Sequence, residues 1–154
     1  MLNWQWRSFA ELNSHELYDL LALRQEVFII EQKCIYPDLD YYDQKATHLL
    51  GWHEKKLVAY ARLFEKDICY PNSISIGRVV ASPGMRSKGI GKELMNVILT
   101  HLENTNNIHP ITISAQFYLE KFYASLGFKS VGEPYQEDGI PHIKMIKDYA
   151  KINR

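Results

Sequence analysis

The stretch RVVASPGMRSKGIGKELM, residues 78 to 95, places Gly89 and Gly91 where a β-branched run gives way to an amphipathic one. The first N–H groups of a helix have no partner within it, and the helix dipole puts about half a positive charge at that end. Glycine lets the backbone approach an anion because it has no Cβ, and Arg86 and Lys88 add charge at the rim. The stretch therefore predicts a phosphate or pyrophosphate site. The alternative is a tight strand-to-helix connection without a ligand.

Two common phosphate motifs do not fit this stretch. Gly84 and Gly89 have the spacing of a Walker loop, but Ile90 stands where that loop requires lysine. The dinucleotide fingerprint also fails, because Gly89 and Gly91 are followed by Leu94 at its third glycine position. What remains is the pattern R-x-x-G-x-G over residues 86–91.

Length and composition bound the remaining possibilities. A chain of 154 residues suits a single domain, expected over residues 1–154. The 18 basic and 18 acidic side chains cancel, which argues against a nucleic-acid binder. No run approaches the ~20 apolar residues of a membrane span, and the first residues lack the features of a secretory signal. Cys34 and Cys69 could pair in principle but form no larger cysteine framework, so a cytoplasmic location is expected.

The order of patterns along the chain predicts an α+β fold with a mixed sheet and helices on its faces. Strands are predicted at 4–9, 47–54, 56–66, 73–82, 111–115 and twice within 129–149. The second and third form an antiparallel hairpin, and Gly77 in the fourth indicates a bulge or a close backbone approach. Helices are predicted from a capping box at Asn13 and Glu16 through Phe28, from the glycine loop to Asn104, and over 117–128 with Gly127 as its cap. Residues 33–46 are polar, aromatic and acidic and are predicted to form a long loop, which at this length is more often functional than filler.

Several stretches, taken in order, resemble one known family. RVVASPGMRSKGIGKELM resembles the acyl-coenzyme A (acyl-CoA) motif of the GNAT acetyltransferases, and QFYLEKFYASLGF (116–128) resembles the motif that follows it, N-x-x-A-x-x-F-Y-x-x-x-G-F. LRQEVFIIEQKCIYPDLDYYD (23–43), THLL (47–50) and EDGIPHIKM (137–145) are similar to the ElaA-like branch. The resemblance implies a GNAT fold with a mostly antiparallel sheet splayed at the acyl-CoA site and helices on both faces. It also implies an acetyl-CoA-dependent N-acetyltransferase.

The resemblance carries over to particular cofactor-binding residues. It assigns the pantetheine arm to the backbone of Val79, Val80 and Ala81, and the pyrophosphate to the amides of Arg86, Ser87, Lys88, Gly89, Ile90, Gly91 and Lys92. Gln116 stands where the family has asparagine, and Leu119 where it has a small alanine. The longer Gln116 side chain can still hydrogen-bond coenzyme A. Tyr123 matches the family tyrosine placed near the thioester sulfur.

The chemistry of acyl transfer sets what these groups must do. An attacking amine must lose a proton first, because with a lysine-like pKa near 10.4 it is almost wholly protonated at neutral pH. Full proton transfer from a tyrosine to the leaving thiolate is uphill by roughly 1.5 pKa units, or about 2 kcal/mol. Tyr123 is therefore expected to donate a hydrogen bond first. A backbone N–H near Val80 or Ala81 is expected to stabilise the carbonyl oxygen. Direct transfer in a ternary complex needs no nucleophile, although Cys34 could in principle carry an acyl group.

The acceptor side is expected in the long loop and the ElaA-like stretches. Candidate substrate-binding residues are Arg24, Glu26, Glu31, Cys34, Asp40, Asp43, His48 and His142, with Gln32 and Tyr36 in the same group. Several are expected to fix the shape of the loop without touching substrate, and Asp38 is expected to be solvated. A pocket lined by carboxylates favours a cationic amine, either a small molecule or a peptide. His48 and His142 are each either the base, a substrate ligand or structural. No metal-ligand spacing is present, and the orientations of Arg62 and Arg78 stay open.

Two rival functions and one assembly are compatible with the sequence. A non-catalytic acyl-CoA sensor would keep the glycine loop, although the presence of Tyr123 favours an enzyme. A peptide-binding scaffold would use an open sheet edge instead. A homodimer is possible because family members often pair through strands.

Overall fold

The computed structural model describes residues 2–149, and within them seven strands form one sheet in the order β1-β2-β3-β4-β5-β7-β6. The strands are β1 (Asn3–Ser8), β2 (Thr47–His53), β3 (Lys56–Phe64), β4 (Ile74–Ala81), β5 (Ile111–Gln116), β6 (Lys129–Glu137) and β7 (Ile140–Lys147); the α-helices are α1 (Ser14–Arg24), α2 (Ile90–Asn104) and α3 (Glu120–Ala124). The pairs β1–β2, β2–β3, β5–β7 and β6–β7 are antiparallel, and β4–β5 is parallel. The predicted α+β class with a mixed, mostly antiparallel sheet is confirmed.

Helix α1 begins as predicted and ends differently. The side chain of Asn13 accepts a hydrogen bond from the Glu16 amide, and the Glu16 carboxylate accepts one from the Asn13 amide, which completes a capping box. After Arg24 the helix widens into a π-helix over Gln25–Glu31, where the sequence pattern predicted further α-helix. The amide of Gln32 donates to the carbonyl of Val27, a bond that spans five residues. Such π segments are frequent at functional sites.

The described residues divide into two compact units, and the first comprises residues 2–63 and 78–106. Its core on one face of the sheet is a cluster that includes Leu20, Leu23, Leu50, Tyr60 and Val80, to which α1 contributes. Neighbouring residues on a strand face opposite sides. Trp6 pairs with Leu49, the residue beside Leu50, and its ring lies 4.6 Å from the His101 ring of α2. Helices therefore cover both faces of the sheet in this unit.

The second unit comprises residues 64–77 and 107–149. The helix predicted over 117–128 is shorter, because a 3-10 turn at Phe117–Leu119 precedes α3. Gly127 has φ +96°, as its predicted cap position requires. The two strands predicted in the tail are β6 and β7, and the turn between them contains Gly139 at φ +77°.

Three further expectations concern membrane spans, the two cysteines and the domain boundaries. No helix in residues 2–149 is long and apolar enough to cross a membrane. No disulfide joins Cys34 to Cys69. The expected domain boundaries, 1 and 154, lie outside the described residues.

Candidate active site

The glycine loop has the geometry of an anion site. A 3-10 segment, Pro83–Lys88, leads to Gly89, which has φ +73° and directly precedes α2. Only glycine adopts this conformation without a steric cost, and a Cβ here would meet nothing within 4 Å. Among the described residues, no side chain caps α2. The N–H groups of Ile90, Gly91 and Lys92 therefore have no partner within the helix.

Strand β4 carries a backbone irregularity next to the residues predicted to bind the pantetheine arm. Gly77 has no positive φ, whereas the next residue, Arg78, has φ +50° within the strand. Such a conformation costs about 1–3 kcal/mol in a residue other than glycine, so its surroundings must hold it. The parallel ladder with β5 contains Ile74 and Ser75. Val79–Ala81 take no part in that ladder.

Arg86 joins the glycine loop to the π-helix. Its Nη1 donates to Glu31 Oε2 at 2.6 Å, and its Nε donates to the Ala81 carbonyl at 3.2 Å. The hydrogen bond from Arg86 lowers the pKa of the Glu31 carboxyl. Glu31 was predicted for the acceptor and Arg86 for the cofactor, and the structure brings these two side chains together.

Three arginines and three aspartates form a largely buried ion network on the α1 face: Arg24, Arg62, Arg78, Asp38, Asp40 and Asp43. Arg24 is fully buried and bonds Asp38 and Asp43, each at 2.8 Å. Arg62 pairs with Asp40 at 2.5 Å and with Asp43 at 2.8 Å. Arg78 Nε lies 2.8 Å from Asp38 Oδ1, and its guanidinium lies over the Tyr36 ring. The network fixes the long loop to β4.

The expectation of a solvated Asp38 was wrong. Asp38 is 6% exposed, because Arg24 and Arg78 supply the positive charge that its burial requires. Sequence spacing missed this because Arg24 and Arg78 come from a helix and a strand that meet the loop only in the folded chain. The open question about Arg62 is also answered, since its side chain faces this network.

The arginines of the network hold the Asp40 and Asp43 carboxylates ionised. Burial alone would raise the pKa of Asp40, but hydrogen bonds from Arg62 and the Tyr42 amide lower it to about 2. The pKa of Asp43 is likewise lowered against the effect of burial, by Arg24 and then Arg62. Each aspartate faces at least one arginine, so the charge of the loop is matched internally.

His48 is fully buried and both of its ring nitrogens are engaged. Nε2 lies 2.9 Å from the Asp43 carbonyl, which can only accept, so Nε2 carries the hydrogen. Nδ1 then accepts from the Tyr60 hydroxyl at 2.6 Å. Burial lowers the pKa of His48 although the Asp43 carbonyl opposes the shift, so the ring is neutral at neutral pH. A role as base stays a prediction, and it would require one of these bonds to break.

The remaining acceptor candidates of this unit lie in different environments. Glu26 is exposed on the π-helix, whereas Cys34 is buried after it. The Tyr36 hydroxyl donates to Asp38 at 3.0 Å, which adds to the network. Cys34 and Tyr36 therefore lie where they shape the loop, whereas a ligand could reach Glu26.

A groove of about 640 Å³ runs along α2 beside the glycine loop. Gly89, Lys92, Trp6 and His101 are among the residues that line it. Sequence analysis assigned no role to Trp6 or His101, because nothing in their spacing indicates that they meet.

In the second unit, Tyr123 lies on α3 and is buried. Its ring makes edge-to-face contacts with Phe122 and Phe128, at centroid distances of 5.1 and 5.9 Å. Burial raises the pKa of the Tyr123 phenol, and the nearby Tyr118 raises it further. The group is therefore a neutral hydrogen-bond donor at physiological pH.

His142 lies in a polar cluster that sequence analysis missed. It pairs with the predicted coenzyme A ligand Gln116 across β5–β7. The side chains of Ser114, Tyr135 and Glu137 lie beside it on the same face. Alternation along β5 and β6 could have indicated that face, but the register against β7 could not be derived. Among the described residues, no group of three or more His, Cys, Asp or Glu is arranged to hold a metal ion.

Comparisons with known proteins agree with this fold. The acetyltransferase (GNAT) domain family matches residues 14–149. Protein ElaA of Escherichia coli is 41% identical over 150 residues, which is 96% of this chain and 97% of that protein. Its crystal structure matches with a TM-score of 0.88 at 40% identity, over 96% of this chain and 100% of that one.

Two further solved structures are informative. An acyl-CoA N-acyltransferase from Pseudomonas aeruginosa matches with a TM-score of 0.89 at 40% identity, over 96% of this chain and 99% of that one. A GNAT family acetyltransferase from Elizabethkingia anophelis with acetyl-CoA bound matches at 15% identity and a TM-score of 0.63, over 96% and 97% of the two chains. The second likeness shows the fold alone. The family match and the 41% identity to ElaA show that this chain belongs to the GNAT acetyltransferase family, in its ElaA-like branch.

Proposed function

We propose that this GNAT acyltransferase is an acetyl-CoA-dependent N-acetyltransferase that moves the acetyl group directly to a primary amine. The observation that carries the proposal is the uncapped start of α2 behind Gly89, whose φ of +73° and open surroundings suit a diphosphate. The acetyl-CoA-bound Elizabethkingia anophelis protein of the same fold supports the choice of co-substrate.

The residues present fit the chemical parts of acetyl-CoA. The amides from Arg86 to Lys92 would hold the pyrophosphate, with Lys88 and Lys92 adding positive charge. The backbone of Val79–Ala81 would bind the pantetheine arm as an added strand does. The resemblance also gives Gln116, at the end of β5, a hydrogen bond to coenzyme A.

Tyr123 would serve the leaving group. As the bond between carbonyl carbon and sulfur breaks, negative charge collects on the sulfur, and a neutral phenol can donate a hydrogen bond to it. Because burial raises its pKa, complete proton transfer from Tyr123 is more difficult than for a solvated tyrosine. Its contribution is therefore a hydrogen bond early in the step and a proton only late.

The acidic loop would shape the acceptor site. Its three aspartates are matched by Arg24, Arg62 and Arg78, so the loop adds little net negative charge. The acceptor proposed is a small-molecule or peptide amine, and the carboxylate that attracts it must come from outside this network.

The test measures acetyl-CoA binding by calorimetry and thiol release in a broad screen of amines. Gly89→Val is expected to lose most of the binding, because a β-branched residue disfavours positive φ and its side chain would cover the amides. Gly84→Val is the matched control, since Gly84 lies in the same loop, also has open space around it and has no positive φ.

The outcomes separate the proposal from its rivals. Binding that Gly89→Val abolishes, together with amine-dependent thiol release, supports an N-acetyltransferase. Binding without thiol release for any amine would indicate a sensor. Absence of acetyl-CoA binding by the unchanged protein would refute the proposal and favour a peptide-binding role.

A further inference from the structure

The second unit carries a group of polar side chains on one face of the sheet. His142 on β7 pairs with Gln116 on β5 and with Tyr135 on β6. Directly paired residues on antiparallel strands point to the same face, as do residues two apart on one strand. Ser114 and Glu137 therefore share that face, which is also the face of the predicted coenzyme A ligand Gln116.

The donor and the acceptor of each hydrogen bond in this cluster can be assigned. The Ser114 hydroxyl donates to Glu137 Oε1 at 3.1 Å, which uses its only hydrogen. The Tyr135 hydroxyl, in contact with Ser114 Oγ, must then be the donor of their bond. The second oxygen of Glu137 lies 3.4 Å from His142 Nε2.

The backbone fixes which nitrogen of His142 can accept a proton. Nδ1 lies 2.7 Å from the Ile140 carbonyl, which only accepts, so Nδ1 carries the hydrogen. In the neutral ring the lone pair is then on Nε2, facing Glu137. An imidazolium formed by protonation of Nε2 would lie against that carboxylate.

Of His142 and Glu137, the glutamate is the one in contact with solvent. His142 is 7% exposed, whereas the Glu137 side chain is 47% exposed. A proton taken up at the buried nitrogen could thus leave through the carboxylate. The carboxylate lies beside the accepting nitrogen, so an acceptor ammonium can contact both groups. A Ser-His-Asp site differs, because its carboxylate binds the other ring nitrogen.

The other titratable groups around the pair do not compete for this role. Burial, followed by the nearby Tyr135, Glu137 and Cys69, raises the pKa of Tyr70 to about 12, so this phenol is neutral. The Lys144 ammonium lies over the Tyr70 ring, 5.6 Å from its centroid. The same face also carries the Lys144 ammonium, since Lys144 pairs with Ser114 across β5–β7 and lies two residues from His142.

We infer that His142 Nε2, with the Glu137 carboxylate beside it, takes the proton from the ammonium group of a primary alkyl amine acceptor. This inference rests on the proposed function. The acceptor R–NH₃⁺ gives one proton to Nε2, and its nitrogen then bonds the thioester carbonyl carbon. The carbon–sulfur bond breaks, the sulfur takes a proton late in the step from Tyr123, and the second proton lost by the nitrogen restores the phenol. The products are an amide and the coenzyme A thiol. The proton on Nε2 returns to solvent by way of Glu137.

Two simple amines distinguish a base from a structural residue. n-Butylamine is protonated at neutral pH and needs a base, whereas trifluoroethylamine is largely unprotonated because its fluorines withdraw electrons. In His142→Gln, kcat/KM for butylamine is expected to fall by roughly 10²-fold or more, while that for trifluoroethylamine changes little. Glu137→Gln is expected to show the same selectivity to a smaller degree. His15→Gln and Glu133→Gln, both at exposed positions, are the controls.

Each outcome decides a different point. Equal losses for both amines, or no loss, would overturn the role of His142 while leaving the acetyltransferase proposal intact. No thiol release from either amine with the unchanged protein would overturn this inference, and no release in the broad amine screen would overturn the proposed function as well. If His142→Gln does not fold, Glu137→Gln carries the same comparison. Long-range ¹H–¹⁵N correlation spectra of the unchanged protein provide a separate readout, because a neutral ring protonated at Nε2 would also overturn the inference.

Discussion

Replacing the buried Arg24 tests whether the ion network holds the acceptor loop. Arg24→Met keeps an apolar side chain of similar reach and removes the guanidinium. Three hydrogen bonds are lost, one each to Asp38 Oδ2, Asp43 Oδ1 and the Asp38 carbonyl. Two buried carboxylates then lose part of the positive charge that offsets their desolvation.

The structure sets the expected magnitude. Breaking a buried ion pair from one side typically costs about 3–5 kcal/mol. Asp38 keeps Arg78 and Asp43 keeps Arg62, so the lower end applies and we expect about 3 kcal/mol. For a protein with a total stability of about 5–15 kcal/mol, the variant should fold but be markedly weakened.

Urea unfolding followed by circular dichroism provides the measurement. With a slope of about 2 kcal/mol per molar urea, the midpoint should fall by roughly 1.5 M. Arg7→Met is the control, because Arg7 is partly exposed and its ion pair with Glu16 is long, at 3.6 Å. This substitution should lower the free energy of unfolding by less than about 1 kcal/mol. Equal, small losses for Arg24→Met and Arg7→Met would refute the argument that burial makes this network important.

Three further predictions follow from single positions. Tyr123→Phe should lower turnover by roughly 10²-fold with little change in acetyl-CoA affinity, and unchanged turnover would remove Tyr123 from the mechanism. Gly51→Ala should lower the free energy of unfolding by about 1–3 kcal/mol, because the new Cβ would lie 2.5 Å from the Trp4 ring; an unchanged urea midpoint would contradict that contact. The folded pKa of Asp40 is lowered to about 2, so its contribution to stability is full above about pH 4 and is lost as pH falls towards 2. Asp40→Asn should reduce the loss of stability across this range by about 2 kcal/mol, measured by unfolding curves at each pH. An unchanged loss would show that Arg62 does not hold the carboxylate.

Local patterns predicted much of the fold. The capping box at Asn13, the hairpin between β2 and β3, and the span of α2 up to Asn104 each depend on interactions within a few residues, which the sequence displays directly. The positive φ of Gly89 and Gly127 was predictable for the same reason, because only glycine adopts such angles readily.

Predictions that depend on distant partners were less complete. Asp38 was expected in solvent, because an acidic residue in a polar loop shows no sign of two arginines from other elements. The π-helix after Arg24 was missed, since the apolar spacing of the segment is compatible with an α-helix. Glu137 and Ser114 were not considered, because their proximity to His142 depends on strand register.

The sequence by itself determined the family, the order of elements and the backbone of the glycine loop, since motif and cap residues act over short distances. The tertiary structure decided which charges are matched and which are exposed. It brought Arg24, Arg62 and Arg78 around the aspartates of one loop, and it left the carboxylate of Glu137 facing the unprotonated nitrogen of His142. The reason is that hydrogen bonding and desolvation depend on distances of a few ångströms between residues far apart in the chain, and only folding sets those distances.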